Sequence, residues 1–254
     1  MSNTDTRAIA IIATGLVAVL VGGGWWFMRR EAPTNSTPAA VTATEAPIDK
    51  PAPPAVNLPP LDQMDAFLRP LLSALSARPE LARWLATDDL IGQLAFAIDR
   101  AGDGDTPSRD FKVVAPVAPF AVSGRSGTRR TIDPRSHRRY DGLVTTVTSM
   151  DAAKVVEIYR TIRPRLNEAY HRQGHPGGDV DRAVSKALEV LLDTPIFKDP
   201  VVVIEGPGVL WEYADPALEA LEPSQKQLLR MGSNNVERLQ TWLRALQMAI
   251  QSAR

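Results

Sequence analysis

From Ala8 to Met28 the chain reads AIAIIATGLVAVLVGGGWWFM, 21 residues without a charged side chain. At about 1.5 Å per residue a helix of this length spans roughly 31 Å, close to the roughly 30 Å hydrocarbon core of a bilayer. Trp25, Trp26 and Phe27 close the run, where aromatic rings settle at the headgroup level, and Arg29 and Arg30 follow at once. The pattern predicts one transmembrane helix over residues 8–28, behind a short tail of residues 1–7. A cleaved signal peptide competes with this reading, since Arg7 and the stretch from Ala8 to Val21 imitate its charged and apolar regions. Gly22, Gly23 and Gly24 followed by two tryptophans make no small-x-small processing site, which favours an uncleaved anchor. Bulky apolar positions then almost vanish. Between residues 32 and 60 there are eight prolines and seven alanines, a composition that cannot bury enough surface to offset the entropy of ordering. Residues 29–60 read as a disordered linker of semi-rigid polyproline character, in which residues 32–60 reach at most about 90 Å.

A helical period begins at residue 61. Leu61, Met64, Phe67, Leu68, Leu71, Leu72 and Leu75 share one face, with Asp62 at a suitable start and Pro70 expected to kink or divide the run. A short helix opens at Pro79 and carries Leu81, Trp84 and Leu85 inward. Thr87 is the expected N-cap of the next helix, with Asp88 and Asp89 at its positive end and Leu90, Ile91, Leu94 and Ile98 on its buried face. AGDGD at 101–105 stops it. Residues 107–135 lose the period, and PFAVSGRSGTRRTID reads as a hairpin turning near Gly124 to Gly127. Asp133-Pro134 then places a cap before a proline at the first helical position, with Tyr140, Leu143, Val144 and Val147 continuing inward. Asp151 caps a helix through Val155, Ile158, Tyr159, Ile162, Leu166 and Tyr170 that Pro164 should bend, and Asp179 caps one through Val184, Leu188, Leu191 and Leu192. VVVIEGPGVLWEY at 201–213 holds two β-prone runs around Gly206-Pro207-Gly208, a second hairpin. Pro223 opens a helix to Met231, Gly232 breaks it, and Asn234 is the expected cap of a last helix with Val236, Leu239, Trp242, Leu243, Leu246 and Ile250 inward. The expected fold class is mostly α (α+β): residues 61–254 form a helical globular domain with two short β-hairpins.

Composition narrows the chemistry. The chain has no cysteine, which excludes a disulfide scaffold, a thiolate nucleophile and sulfur-ligated metal centres. Lys and Arg balance Asp and Glu at 29 each, so no net charge draws the chain to nucleic acid. The strings LPPLDQMDAFLRPLLSALSARPELARWLATDDLI (58–91), GHPGGDVDRAV (174–184) and GVLWEYADPALEALEPSQKQLLRMGSNNVERLQ (208–240) resemble an uncharacterised bacterial family, the domain of unknown function 3014. The resemblance spans residues 57–248, and PSQKQLLRMG is its most specific part. Pro70 and His175 depart from the family pattern, where a helix former and an aromatic are expected. The resemblance implies a single-span envelope protein with a proline-rich stalk, and carries no activity.

No catalytic constellation is legible. His171 and His175 with Asp179 have metal-ligand spacing, but Gly174, Pro176, Gly177 and Gly178 end the helix before the second histidine, so the string reads as a solvated helix terminus. The sequence therefore points to no metal and no cofactor. Ser123-Gly124-Arg125-Ser126-Gly127 is one residue short of a nucleophile elbow and lies between predicted strands. Asp88 and Asp89 point about 100° apart on a helix and suit its dipole, and Glu205, Glu212 and Asp215 read as solvated strand ends. The one local charge asymmetry runs from Arg109 to Arg139. Arg109, Lys112, Arg125, Arg129, Arg130, Arg135, Arg138 and Arg139 there face only Asp110 and Asp133, a candidate binding patch for an anionic partner. Few aromatics interleave with these cations, which argues against a nucleic-acid platform. Trp211 and Tyr213 share one face of a predicted strand, as core or as an exposed binding ledge.

These features predict a bacterial inner-membrane protein, anchored in the lipid bilayer through residues 8–28. Its domain is expected to be periplasmic and to bind an envelope protein or an anionic envelope component as a scaffold module. The positive-inside rule, applied to Arg29 and Arg30, mildly favours the opposite orientation and a cytoplasmic adaptor. The rival function is a membrane-tethered hydrolase acting on a cell-wall or lipid substrate, with groups that converge only in the fold.

Overall fold

A computed structural model describes residues 57–106, 116, 118–125, 129–198, 200–206 and 211–253. The predicted tail, the membrane span and the linker up to residue 56 lie outside the described residues. Among the described residues, no helix is long and apolar enough to cross a membrane. A 3₁₀ turn, Leu61–Gln63, leads into α1 (Met64–Ser73), α2 (Pro79–Trp84) and α3 (Leu90–Gly102). Strands β1 (Val122–Ser123) and β2 (Arg130–Ile132) precede α4 (Pro134–Arg138), α5 (Asp141–Thr148), α6 (Ala152–Arg172) and α7 (Val180–Leu192). Then come β3 (Val202–Glu205), β4 (Trp211–Tyr213), α8 (Pro216–Glu219), α9 (Pro223–Arg230) and α10 (Ser233–Ser252). The protein is α+β, mostly helical with one small antiparallel sheet.

The helical core forms around α3. Leu90, Ile91, Ala95, Ala97, Ile98 and Ala101 are all buried, so α3 is covered on more than one side, and it packs on α6 and α7. Gly102 lets two backbones approach, since a Cβ there would lie 3.0 Å from the Ala183 carbonyl oxygen of α7. The predicted apolar face of α10 is buried throughout against α5, α6 and α7, and Trp242 Nε1 donates to the Met150 carbonyl at 2.7 Å. That stripe is therefore covered within the chain itself.

Caps set most helix starts as their sequence suggests: Asp133, Asp151 and Asp179 each accept a hydrogen bond from a backbone N–H in the first turn. Three local expectations are corrected. Pro70 lies inside a continuous α1 instead of dividing it, with the buried Leu68 before the proline and Leu72 and Leu75 after it packed in the same core. The cap of α3 is Asp89, at φ 55, and not Thr87, whose hydroxyl donates back to the Trp84 carbonyl. Asp65 of α1 completes that cap from a distance, accepting from the N–H groups of Asp89 at 2.8 Å and Leu90 at 2.7 Å. The third correction concerns α10, which starts at Ser233 after Gly232 and has no side-chain cap, so Asn234 does not serve as one.

The two hairpins form where the alternating residues place them, but they are not separate ribbons. β2 pairs with β3 through Arg130 opposite Val203 and Thr131 opposite Val202, giving one four-stranded antiparallel sheet in the order β1-β2-β3-β4. Neither two-stranded ribbon is stable alone, and each turns apolar residues to the same side. Ile132, Val203 and Tyr213 meet Leu218 and Leu229 there in a second, smaller core.

Candidate functional site

The basic segment is built onto the junction of β2, α4 and α10. Asp133 accepts from the Arg135 N–H at 2.8 Å, from the Arg135 guanidinium at 3.0 Å on both oxygens and from the Ser123 hydroxyl at 2.9 Å. These donors, the Arg135 guanidinium foremost, hold its carboxyl far below the usual carboxylate range. The fully buried Ser136 hydroxyl accepts from the Ala121 N–H at 2.7 Å and donates to the Ala121 carbonyl at 2.8 Å. Strand and helix are thus joined side by side, which fixes where residues 137 to 139 emerge.

The arginines divide into two groups. Arg130 pairs with Glu205 at 3.0 Å and lies 4.9 Å over the Trp211 ring. Arg139 donates to the carbonyls of Ser136 and Ala118, each at 3.0 Å, and to the Tyr140 hydroxyl at 3.1 Å, stacked between Phe120 and Tyr140. With Arg135 on Asp133, these three side chains tie the structure together. Arg125 is exposed beside them. Arg129 and Arg138 are exposed and make no hydrogen bond, ion pair or ring contact among the described residues. Arg109 and Lys112 lie outside the described residues. Trp211 is half-buried beneath Arg130, whereas Tyr213 is 4% exposed and donates to the Lys226 carbonyl at 2.8 Å. Burial pushes the Tyr213 hydroxyl up to about 12.

Below Arg138 opens a cavity of about 360 Å³. Its apolar wall comes from Ile132, Val201 and Leu229 and from Ile196 and Phe197 of the segment after α7. Arg138 and Lys198 also line it, and Lys198 is exposed without a partner among the described residues. Its floor is the start of α10. Gly232 has φ 81 and ψ 156, a conformation essentially reserved for glycine, and a Cβ there would lie 2.6 Å from His137 Cγ. The N–H groups of Ser233, Asn234 and Asn235 follow, and no group among the described residues accepts from them. Asn235 is 2% exposed; its Nδ2 donates to Asp141 Oδ1 at 2.8 Å, the Met231 carbonyl at 3.1 Å and the His137 carbonyl at 3.3 Å. Those three acceptors fix the amide orientation, and leave Oδ1 buried without a donor.

His137 Nδ1 stands 3.2 Å from the Arg230 carbonyl, which can only accept, so Nδ1 carries the proton. Burial holds this imidazole below its ordinary value of 6.5, neutral at pH 7. Ser233, His137 and Asp141 line the same cavity, yet Nδ1 is engaged by Arg230 and Asp141 by Asn235, and no hydrogen bond joins the serine to the histidine. Among the described residues, no hydrogen-bonded nucleophile and base are assembled there. The arrangement can receive a negative charge, which the open N-terminus of a helix attracts.

At the end of α6 the terminus is solvated as its sequence suggests, with Arg172, Gln173, Gly174, Pro176 and Gly177 exposed, but both histidine rings have partners. The His171 ring meets the Gly178 carbonyl at 2.6 Å, while His175 stacks on Tyr170 at 4.4 Å and reaches Asp99 of α3 at 3.0 Å. Among the described residues, no group of three or more His, Asp or Glu side chains is placed to hold a metal ion. Sequence reasoning missed His137, Lys198 and the first turn of α10. One signal was present: glycine followed by Ser233-Asn234-Asn235, a first turn without the acid that usually settles there.

A family described as "Protein of unknown function (DUF3014)" has a model that matches residues 90–247. No curated protein and no solved structure matches the chain.

Proposed function

The chain belongs to DUF3014, a family of proteins of unknown function, and from that premise we propose that it is a tethered binding module for an anionic component of the bacterial envelope. Residues 8–28 anchor it in the inner membrane, the proline-rich stalk carries the helical domain into the periplasm, and the domain captures its partner by charge. One observation carries this reading. Arg138 and Lys198, both exposed and without partners among the described residues, meet at a cavity whose floor is the uncapped start of a twenty-residue helix. Two exposed cations and a helix N-terminus add to a local positive field that the zero net charge of the whole chain conceals. Binding is favoured over turnover because the cavity offers charge and shape, with no nucleophile and base paired among the described residues.

The test uses the full chain in nanodiscs of zwitterionic lipid, with dextran sulfate and neutral dextran as probes. We expect binding of the sulfated polymer alone. The Arg129→Glu, Arg138→Glu, Lys198→Glu triple variant should weaken that binding by about tenfold or more, a change of roughly 1.4 kcal/mol. The variant binding as tightly as the parent protein would remove the basic region from the function.

A further inference from the structure

We infer that the cavity at the start of α10 binds a small anionic amphiphile, a phosphate monoester on a short apolar chain. The phosphate oxygens accept from the backbone N–H groups of Ser233, Asn234 and Asn235, and the chain lies along Ile132, Phe197 and Val201. The inference rests on the anion-binding reading above and names its ligand.

Three separate features converge. The first is the helix terminus, where three N–H groups point out of a twenty-residue helix with no acid in its first turn and no side-chain cap. The opening is built in, because the conformation of Gly232 and the His137 ring against it exclude a side chain that could fold over the terminus. The second is Asn235, 98% buried by its 2% exposure, whose amide is set in the cavity wall: each group that accepts from Nδ2 belongs to a residue that lines the cavity. Its Oδ1 is an acceptor with no donor, and buried acceptors in native proteins are normally satisfied. A head that offers both negative oxygens and an O–H answers the N–H groups and Oδ1 together. A monoprotonated phosphate ester does so, its second ionisation lying near pH 6, whereas a carboxylate offers no O–H.

The third feature is the apolar wall. Four large apolar side chains are exposed among the described residues, and two of them, Ile196 at 37% and Phe197 at 38%, stand at this cavity. An alkyl chain covers them, which a bare inorganic anion does not. At the mouth stand Arg138 and Lys198; among the described residues Asp141 is the one acid lining the cavity, and its Oδ1 is already engaged by Asn235. A volume of about 360 Å³ holds roughly a dozen waters at about 30 Å³ each, room for a phosphate and a short chain and too little for a two-tailed lipid.

The full chain in zwitterionic nanodiscs is titrated in a calorimeter near pH 6 with hexyl phosphate, inorganic phosphate, hexanoate and hexanol, with empty nanodiscs as the blank. Hexyl phosphate is expected to saturate at one molecule per chain and to bind about tenfold or more tightly than each of the other three probes. Arg138→Glu with Lys198→Glu should weaken it by about tenfold or more. Phe197→Ser should erase its advantage over inorganic phosphate and leave phosphate binding unchanged. All three side chains are exposed, and an unchanged melting temperature shows that the variants fold. Equal binding of hexanol, of hexanoate or of inorganic phosphate overturns the inference, as does indifference to the double charge reversal. If dextran sulfate binds and hexyl phosphate shows no preference, this inference fails and the anion-binding module stands. If neither binds, both fail.

Discussion

Replacing Gly232 by alanine tests how the start of α10 is held open. The residue has φ 81 and ψ 156, where a side chain costs about 1–3 kcal/mol. The new Cβ would also lie 2.6 Å from Cγ and 2.7 Å from Nδ1 of His137, so the ring must move. That ring is held by the Arg230 carbonyl and packed at the cavity, and forced repacking of this kind costs about 1–3 kcal/mol. The two effects together predict a loss of about 2–6 kcal/mol, measured by urea unfolding of the parent and variant proteins. A second substitution separates them. His137→Ala removes the clash and leaves the backbone conformation, so in the Gly232→Ala background it should restore about 1–3 kcal/mol relative to its own effect in the parent. A Gly232→Ala loss below about 1 kcal/mol, or strictly additive behaviour of the two changes, would refute the account of this junction.

Three further outcomes follow from the same contacts. Arg139→Ala removes three hydrogen bonds and two ring contacts and should cost about 1–3 kcal/mol, whereas Arg129→Ala and Arg138→Ala should change unfolding free energy by less than about 0.5 kcal/mol; equal effects at all three sites would contradict the division of the arginines. Stability should fall as the pH drops below the ordinary histidine value of 6.5, since the unfolded chain protonates His137 there and the folded chain resists until lower pH. A second loss should begin below the ordinary aspartate value of 3.8, since the unfolded chain protonates Asp133 there while the folded carboxylate resists; urea midpoints across pH 8 to 3 check both, and His137→Gln should flatten the first step alone. A single cysteine at the exposed Ser252, in a chain with no other thiol, should react with a membrane-impermeant maleimide in cells whose inner membrane is intact; labelling only after that membrane is broken would place the domain in the cytoplasm.

The sequence by itself determined the features that depend on neighbours a few residues away. Helical periods placed α3, α6, α7 and α10, and aspartate caps placed the starts of α4, α6 and α7, because a cap and a 3.6-residue stripe are satisfied within one or two turns. Alternation and glycines placed both hairpins for the same reason. Tertiary structure alone decided what residues far apart in the chain do to one another. The sheet is a single one because Arg130 and Thr131 meet Val203 and Val202, a pairing that neither segment specifies alone. Asp65 caps a helix that is not its own, and His175 reaches Asp99 of α3 from the end of α6. The basic run shows the difference most clearly: its composition is local, but whether a guanidinium is engaged or free depends on which carboxylates, carbonyls and rings the fold brings within about 3–6 Å of it. Among the described residues, Arg130, Arg135 and Arg139 found such partners and Arg138 did not, and the cavity beside Arg138 draws its walls from α4, the segment after α7 and the start of α10. Electrostatic and packing energies depend on distance in space, and a one-dimensional pattern contains that distance only where the chain is locally regular.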